Sequence, residues 1–199
     1  MSYVDDIQKV GHLTINEIIK ISNLYVPDIF KPCPWKYIDS QGRTLNHGTA
    51  VLETEELCSA YMSAYGPMHY HKLMRALDEN EFPYSDLAGG IEIYDWGCGQ
   101  AIGTMAVIEK FRQHGMLGKL RKVVLEEPSD VARDRAVIHV KKALEDNNAD
   151  VVAVSKYLPS DNGDNSHSIT SISVEQPIAI HIFSNILDIE AVSLKGVSK

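Results

Sequence analysis

The chain contains no apolar run that approaches the roughly 18 residues needed to cross a membrane as a helix. Its first residues, MSYVDDIQKV, carry acids early and lack the apolar stretch of a secretory leader. Cysteine is scarce: Cys33, Cys58 and Cys98 are widely spaced and form no CxxC pair. That argues against a zinc knuckle and a disulfide framework, and it agrees with a reducing, cytoplasmic setting. Positive charge is in deficit, with 19 Lys and Arg against 27 Asp and Glu and a formal net charge of −8. Non-specific binding to DNA or RNA draws on clustered cations that release counterions, so nucleic acid is not indicated as a partner. The densest basic stretch, KLRKVV at Lys119 to Val124, is short and reads as the solvated start of a strand. What remains is ordinary for a soluble globular protein: 199 residues, 44% hydrophobic and 23% charged, without an internal repeat.

Two textures divide the chain. Residues 1–89 read as helical and irregular. LTINEIIKISNLYV places Leu13, Ile15, Ile18, Ile19, Ile21 and Leu24 close to a helical stripe, with Thr14 and Glu17 as a capping box. PDIFKPCPW carries three prolines and cannot be regular helix. IDSQGRTLNHG is a polar turn region. TEELCSAYMSAYGPMHYHKLMRALDEN reads as helix capped by Thr54, a break near Gly66–Pro67, and helix again. Tyr61 and Tyr65 share one helical face by their spacing, in the manner of a lid, although core packing explains them as well. His69 and His71 lack an identifiable third ligand, so no metal is expected.

Residues 90–199 alternate strands and helices. IEIYDWG is a strand, Ala101 to His114 a helix, KVVLEE a second strand, SDVARDRAVIHVKKALEDN a helix capped by Ser129, DVVAVSKYL a third strand, and PIAIHIFSNILDI holds a fourth. Such alternation predicts an α/β fold with a parallel sheet covered by helices. Ligands bind such sheets at the carboxyl ends of the strands, where strand order reverses.

The chemistry concentrates in IEIYDWGCGQAIGT, Ile91 to Thr104. Gly97 and Gly99 let the backbone approach a ligand that a side chain would block. The spacing Gly97-x-Gly99-x-x-x-Gly103 is one residue longer than the dinucleotide fingerprint. Asp95, directly before the turn's Trp96 and Gly97, would repel a pyrophosphate and attract an ammonium group.

The stretch DWGCGQAIGT resembles the first motif of class I S-adenosylmethionine-dependent methyltransferases, an acid followed by G-x-G. The resemblance implies a Rossmann-like sheet, S-adenosylmethionine as cofactor, and transfer of a methyl group to an acceptor the sequence does not identify. It implies a cofactor turn of Asp95, Gly97, Cys98, Gly99 and Gln100. Where the family commonly has a further glycine, this chain has Ala101. The family's ribose-binding acid at the end of the second strand falls on Glu127 of KVVLEEPS, with Glu126 in reserve. The third strand's end, toward the adenine, offers Lys156, Tyr157 and Asp161 without a choice among them. The fourth strand's end, toward the methyl-transfer centre, offers Ser184 and Asn185, with His181 better explained by packing. Tyr65 would come from the upstream helices over the cofactor.

The domain of that family carries more strands than the four read here. LDIEAVSLKGVSK reads as the helix after strand four, which leaves that strand with an open edge. The chain is therefore expected to be an N-terminal piece of a longer methyltransferase; a homodimer paired through the edge is the next expectation. Two other functions compete: a non-catalytic methyltransferase-like interaction module and a nicotinamide-dependent oxidoreductase.

Overall fold

A computed structural model describes residues 2–79, 89–155 and 177–184. Its helices are α1 (Tyr3–Lys9), α2 (Ile15–Leu24), α3 (Glu55–Glu79), α4 (Ile102–Gln113) and α5 (Asp130–Ala143). Its strands are β1 (Ile91–Trp96), β2 (Leu120–Glu126), β3 (Asp150–Val154) and β4 (Ile178–Ile182). The four strands form a parallel sheet in the order β3-β2-β1-β4. The fold is therefore α/β and compatible with a Rossmann-like arrangement. The chain steps outward from β1 to β2 to β3, and β4 returns to the other side of β1. Strand order reverses between β1 and β4, so the crevice beyond their carboxyl ends is the expected ligand position.

Burial explains which residues do this. In β1, Ile91, Ile93 and Asp95 point to one face and are buried, whereas Glu92, Tyr94 and Trp96 are half-buried on the other. β2 is buried continuously from Val123 to Glu126, as expected of a strand flanked on both sides. β4 is paired on one side only among the described residues. It is correspondingly more exposed, and Ile178 stands 39% open despite the apolar sequence.

The N-terminal segment shares its main core with the sheet. Tyr3, Ile7, Leu13, Ile15, Ile18, Ile21 and Met62 belong to the same hydrophobic cluster as Ile91, Ile93, Met105, Phe111, Val123 and Leu125. A buried acid of α4 contributes a polar joint. Glu109 accepts the Ile15 N–H at the start of α2 (2.8 Å) and the Tyr70 hydroxyl of α3 (2.9 Å). A smaller second cluster gathers Val26, Tyr37, Leu45, Leu52, Leu57, Cys58 and Ala60 over Ala132 of α5, with Tyr61 and Tyr65 packed beside it.

Three local expectations change. α1 was not legible as a helix; it is started by a reciprocal Ser2–Asp5 capping box. At α2, Thr14 does cap by accepting the Glu17 N–H, while the Glu17 carboxylate pairs with Lys20 at 2.6 Å. The break expected at Gly66–Pro67 does not occur: α3 runs through it. A proline inside a helix costs ~3 kcal/mol, and tertiary packing offsets it. Gly66 lets α2 approach so closely that an added Cβ would lie 3.2 Å from Ile19 Cγ1 and 2.9 Å from Met62 Sδ. Thr54 and Ser129 cap α3 and α5 as the sequence indicates. The helix read after strand four and the stretch ITSISVEQ lie outside the described residues.

Candidate functional site

The turn between β1 and α4 alternates in hand. Gly97, Gly99 and Ala101 have φ of 64°, 52° and 64°. Glycine adopts this region freely, whereas a residue with a Cβ pays roughly 1–2 kcal/mol. The turn is tied to β2 by the Cys98 N–H donating to Glu126 O (2.9 Å) and closed by the Ala101 N–H on Cys98 O (2.7 Å). An added Cβ on Gly99 would meet nothing within 4 Å, so the turn is open on that side.

Two buried carboxylates flank it. Ala101 stands at the N-cap of α4 without a capping side chain. Asp95 does that work from β1: its Oδ2 accepts the Thr104 N–H (3.1 Å) and the Thr104 hydroxyl (2.7 Å). Gly103 makes room, because an added Cβ there would stand 2.8 Å from Ile182 Cγ2 and 3.3 Å from Asp95 Oδ2. The other oxygen, Asp95 Oδ1, is buried and has no hydrogen-bond partner among the described residues. Burial raises the Asp95 pKa to about 7; the Thr104 bonds oppose the rise and Glu127 adds to it.

Glu127 is braced on both oxygens. Oε2 accepts the Gly99 N–H (2.9 Å) and Oε1 accepts the Ser129 N–H (2.9 Å). Burial raises its pKa too, against those two amides and Arg133. The Ser129 hydroxyl donates to Leu52 O, joining this corner to the second cluster. The Cys98 thiol is buried and pushed well above its ordinary range, first by burial and then by Asp95 and Glu127.

The residues expected at the site divide by position. Asp95, Gly97, Cys98, Gly99 and Glu127 meet at one corner, and Ser184 joins them, 3.6 Å from where a Gly103 Cβ would stand. Gln100 is buried with its side chain committed elsewhere. Its Nε2 donates to Cys58 O (2.8 Å), and its Oε1 accepts Arg135 Nη1 (3.3 Å). Tyr65 sits in an aromatic column with Tyr61 and His69, the ring centroids 5.2 and 6.2 Å away. Trp96 lies on the opposite face of β1 from Asp95. It stacks parallel to Phe183 at 6.0 Å and donates to His181 Nδ1 at 3.1 Å. Lys156, Tyr157, Asp161 and Asn185 lie outside the described residues.

Three contributors were missed. Thr104 holds Asp95, and Arg135 and His139 hold the turn from α5. A signal for the latter pair was present. The buried stripe of α5 is Ala132, Arg135, Ala136, His139, Val140 and Ala143, so an arginine and a histidine occupy core positions of an amphipathic helix. Buried polar residues of this kind are the informative exceptions.

Among the described residues no cluster of three or more His, Cys, Asp or Glu could hold a metal ion. No helix there is long and apolar enough to cross a membrane. No protein-family model, curated protein or solved structure matches the chain.

Proposed function

We propose that this chain binds S-adenosylmethionine at the carboxyl end of β1 and serves methyl transfer to an acceptor, as a class I methyltransferase-like α/β protein. The observation that carries the reading is the unpartnered oxygen of Asp95. A buried acceptor left unsatisfied costs about 1–3 kcal/mol, and the amino group of the cofactor's methionine part is the partner it lacks. A pyrophosphate would put a second anion beside Asp95 and Glu127, so a nicotinamide cofactor fits this corner poorly. The open side of Gly99 suits close approach of a ligand. Each Glu127 oxygen accepts one amide and retains capacity for a ribose hydroxyl. The bound cofactor supplies an electrophilic methyl group. The protein's own task is to hold the cofactor and set the acceptor in line, with Ser184 beside Gly103 as the nearest candidate at the strand-four end.

A non-catalytic, methyltransferase-like interaction module is the second reading. It is favoured by the structural work both acids already do: Asp95 caps α4 and Glu127 braces the turn. Calorimetry separates the readings. Saturable binding of S-adenosylmethionine and S-adenosylhomocysteine, lost in Asp95→Ala and absent for NADH, supports the cofactor site. A folded protein that binds neither adenosyl ligand, or that binds NADH instead, overturns it.

A further inference from the structure

We propose that helix α1 positions the glycine turn through a buried relay, Tyr3 to His139 to the main chain of Gln100, so that the N-terminal helix is a working part of the site. The relay crosses three elements distant in sequence. The hydroxyl of Tyr3 in α1 lies 2.8 Å from His139 Nε2 in α5, and His139 Nδ1 lies 3.0 Å from Gln100 O in the turn.

The hydrogens follow from the acceptor at the end of the chain. A carbonyl oxygen can only accept, so His139 Nδ1 carries the proton. Nε2 is then the acceptor, and Tyr3 donates to it. The Tyr3 oxygen is left to accept from Ser22, 3.3 Å away in α2. Burial keeps the imidazole neutral, with its pKa lowered to about 4, which preserves this single direction at neutral pH. Tyr3 is itself held in place, because the Arg135 guanidinium lies over its ring at 3.6 Å.

The turn has reason to need this. Gln100 precedes Ala101, the one residue of the turn that holds a left-handed conformation with a Cβ. Strained conformations persist where their surroundings over-determine them. Gln100 is fixed at three points: its carbonyl by His139, its Nε2 by Cys58 O, its Oε1 by Arg135. Two of these anchors, His139 and Arg135, touch Tyr3. Docking of α1 and the shape of the turn are thus coupled, and a ligand that fixes the turn tightens α1 in return.

The inference rests on the proposed cofactor site only where affinity is concerned, so the test has two arms on the full chain. Amide hydrogen exchange compares wild type, Tyr3→Phe and Tyr70→Phe. The last removes a comparable hydroxyl from a joint that does not reach the turn. Tyr3→Phe is expected to speed exchange at Cys98 and Ala101 by tenfold or more relative to Val123 and Leu125 of β2. Tyr70→Phe is expected to leave that ratio unchanged. His139→Asn keeps a donor toward Gln100 O and should recover most of the protection lost in His139→Ala. Uniform acceleration in Tyr3→Phe, or none, overturns the proposal. In the second arm, S-adenosylhomocysteine should bind Tyr3→Phe about tenfold more weakly than wild type, and Tyr70→Phe unchanged. Equal affinities in Tyr3→Phe and wild type overturn the coupling. If wild type does not bind, the cofactor reading fails, and the exchange arm still decides the relay.

Discussion

The two carboxylates at the ends of β1 and β2 are neighbours in one corner, yet they differ in how they are satisfied. Glu127 has an amide on each oxygen. Asp95 has both of its donors, from Thr104, on a single oxygen, and the other is buried without a partner among the described residues. On the proposed reading, the difference separates a brace from a receptor. A buried carboxylate with an amide on each oxygen holds two segments together. A half-bonded one stores an unmet demand that a cationic ligand can fill. The difference arises from position: Glu127 lies where two backbone amides converge, whereas the donors that reach Asp95 both belong to Thr104, in the first turn of α4.

The largest expected effect attacks the receptor. Asp95→Asn keeps an acceptor for Thr104 but removes the negative charge, so binding of S-adenosylmethionine should fall by 100-fold or more in calorimetry. In wild type the same affinity should weaken as pH drops below about 7, where Asp95 takes up a proton.

The next effect lies in stability against pH and has two opposing sources. Asp95 is raised from 3.8 to about 7 in the fold, so its contribution is greatest below pH 3.8 and is lost as pH rises through 7. His139 is lowered from 6.5 to about 4, so its contribution is present above 6.5 and is lost as pH falls through 4. Between those limits the two slopes oppose each other. Asp95→Asn removes the Asp95 slope and leaves that of His139, opposed in the acid range by Glu127, whose pKa burial also raises. The unfolding free energy from urea titrations should then fall by up to about 3 kcal/mol in the mutant between pH 6.5 and 4, and by less in wild type. Equal slopes in the two proteins would refute the assignment.

Breaking the brace should cost less. Glu127→Gln can accept one amide and opposes the other with its own NH₂ group, a loss of about 1–3 kcal/mol in unfolding free energy from urea titration at pH 8. The smallest effect concerns the space between the two acids and β4. Gly103→Ala adds a Cβ against Ile182 and Asp95, with an expected loss of about 1–2 kcal/mol. It should also shift the affinity severalfold, because Asp95 must move.

Much of the sheet was legible because strands and helices leave periodic traces. β1, α4, α5, β3 and β4 each fall within the stretch that suggested it, and β2 begins two residues before KVVLEE, at Leu120. Asp95 and Glu127 were legible because each sits at the end of an apolar strand. Other features were not, and for a common reason. Pro67 signals a helix end locally, yet packing of Gly66 against α2 carries α3 through it. Gln100 reads as one more polar turn residue until Cys58 and Arg135 occupy its side chain. Tyr3 stands in a short acidic segment where Tyr3, Ile7 and Val10 make an apolar stripe of only two turns.

The sequence by itself determined the alternation of strand and helix, the glycine turn and the acid before it, since these depend on neighbours a few residues apart. The tertiary structure alone decided which acid is braced and which is left wanting a partner. It also decided that α1 reaches the turn across 136 residues through Tyr3 and His139. Hydrogen-bond satisfaction in a buried corner depends on which distant groups the fold delivers there, and no local pattern encodes that delivery.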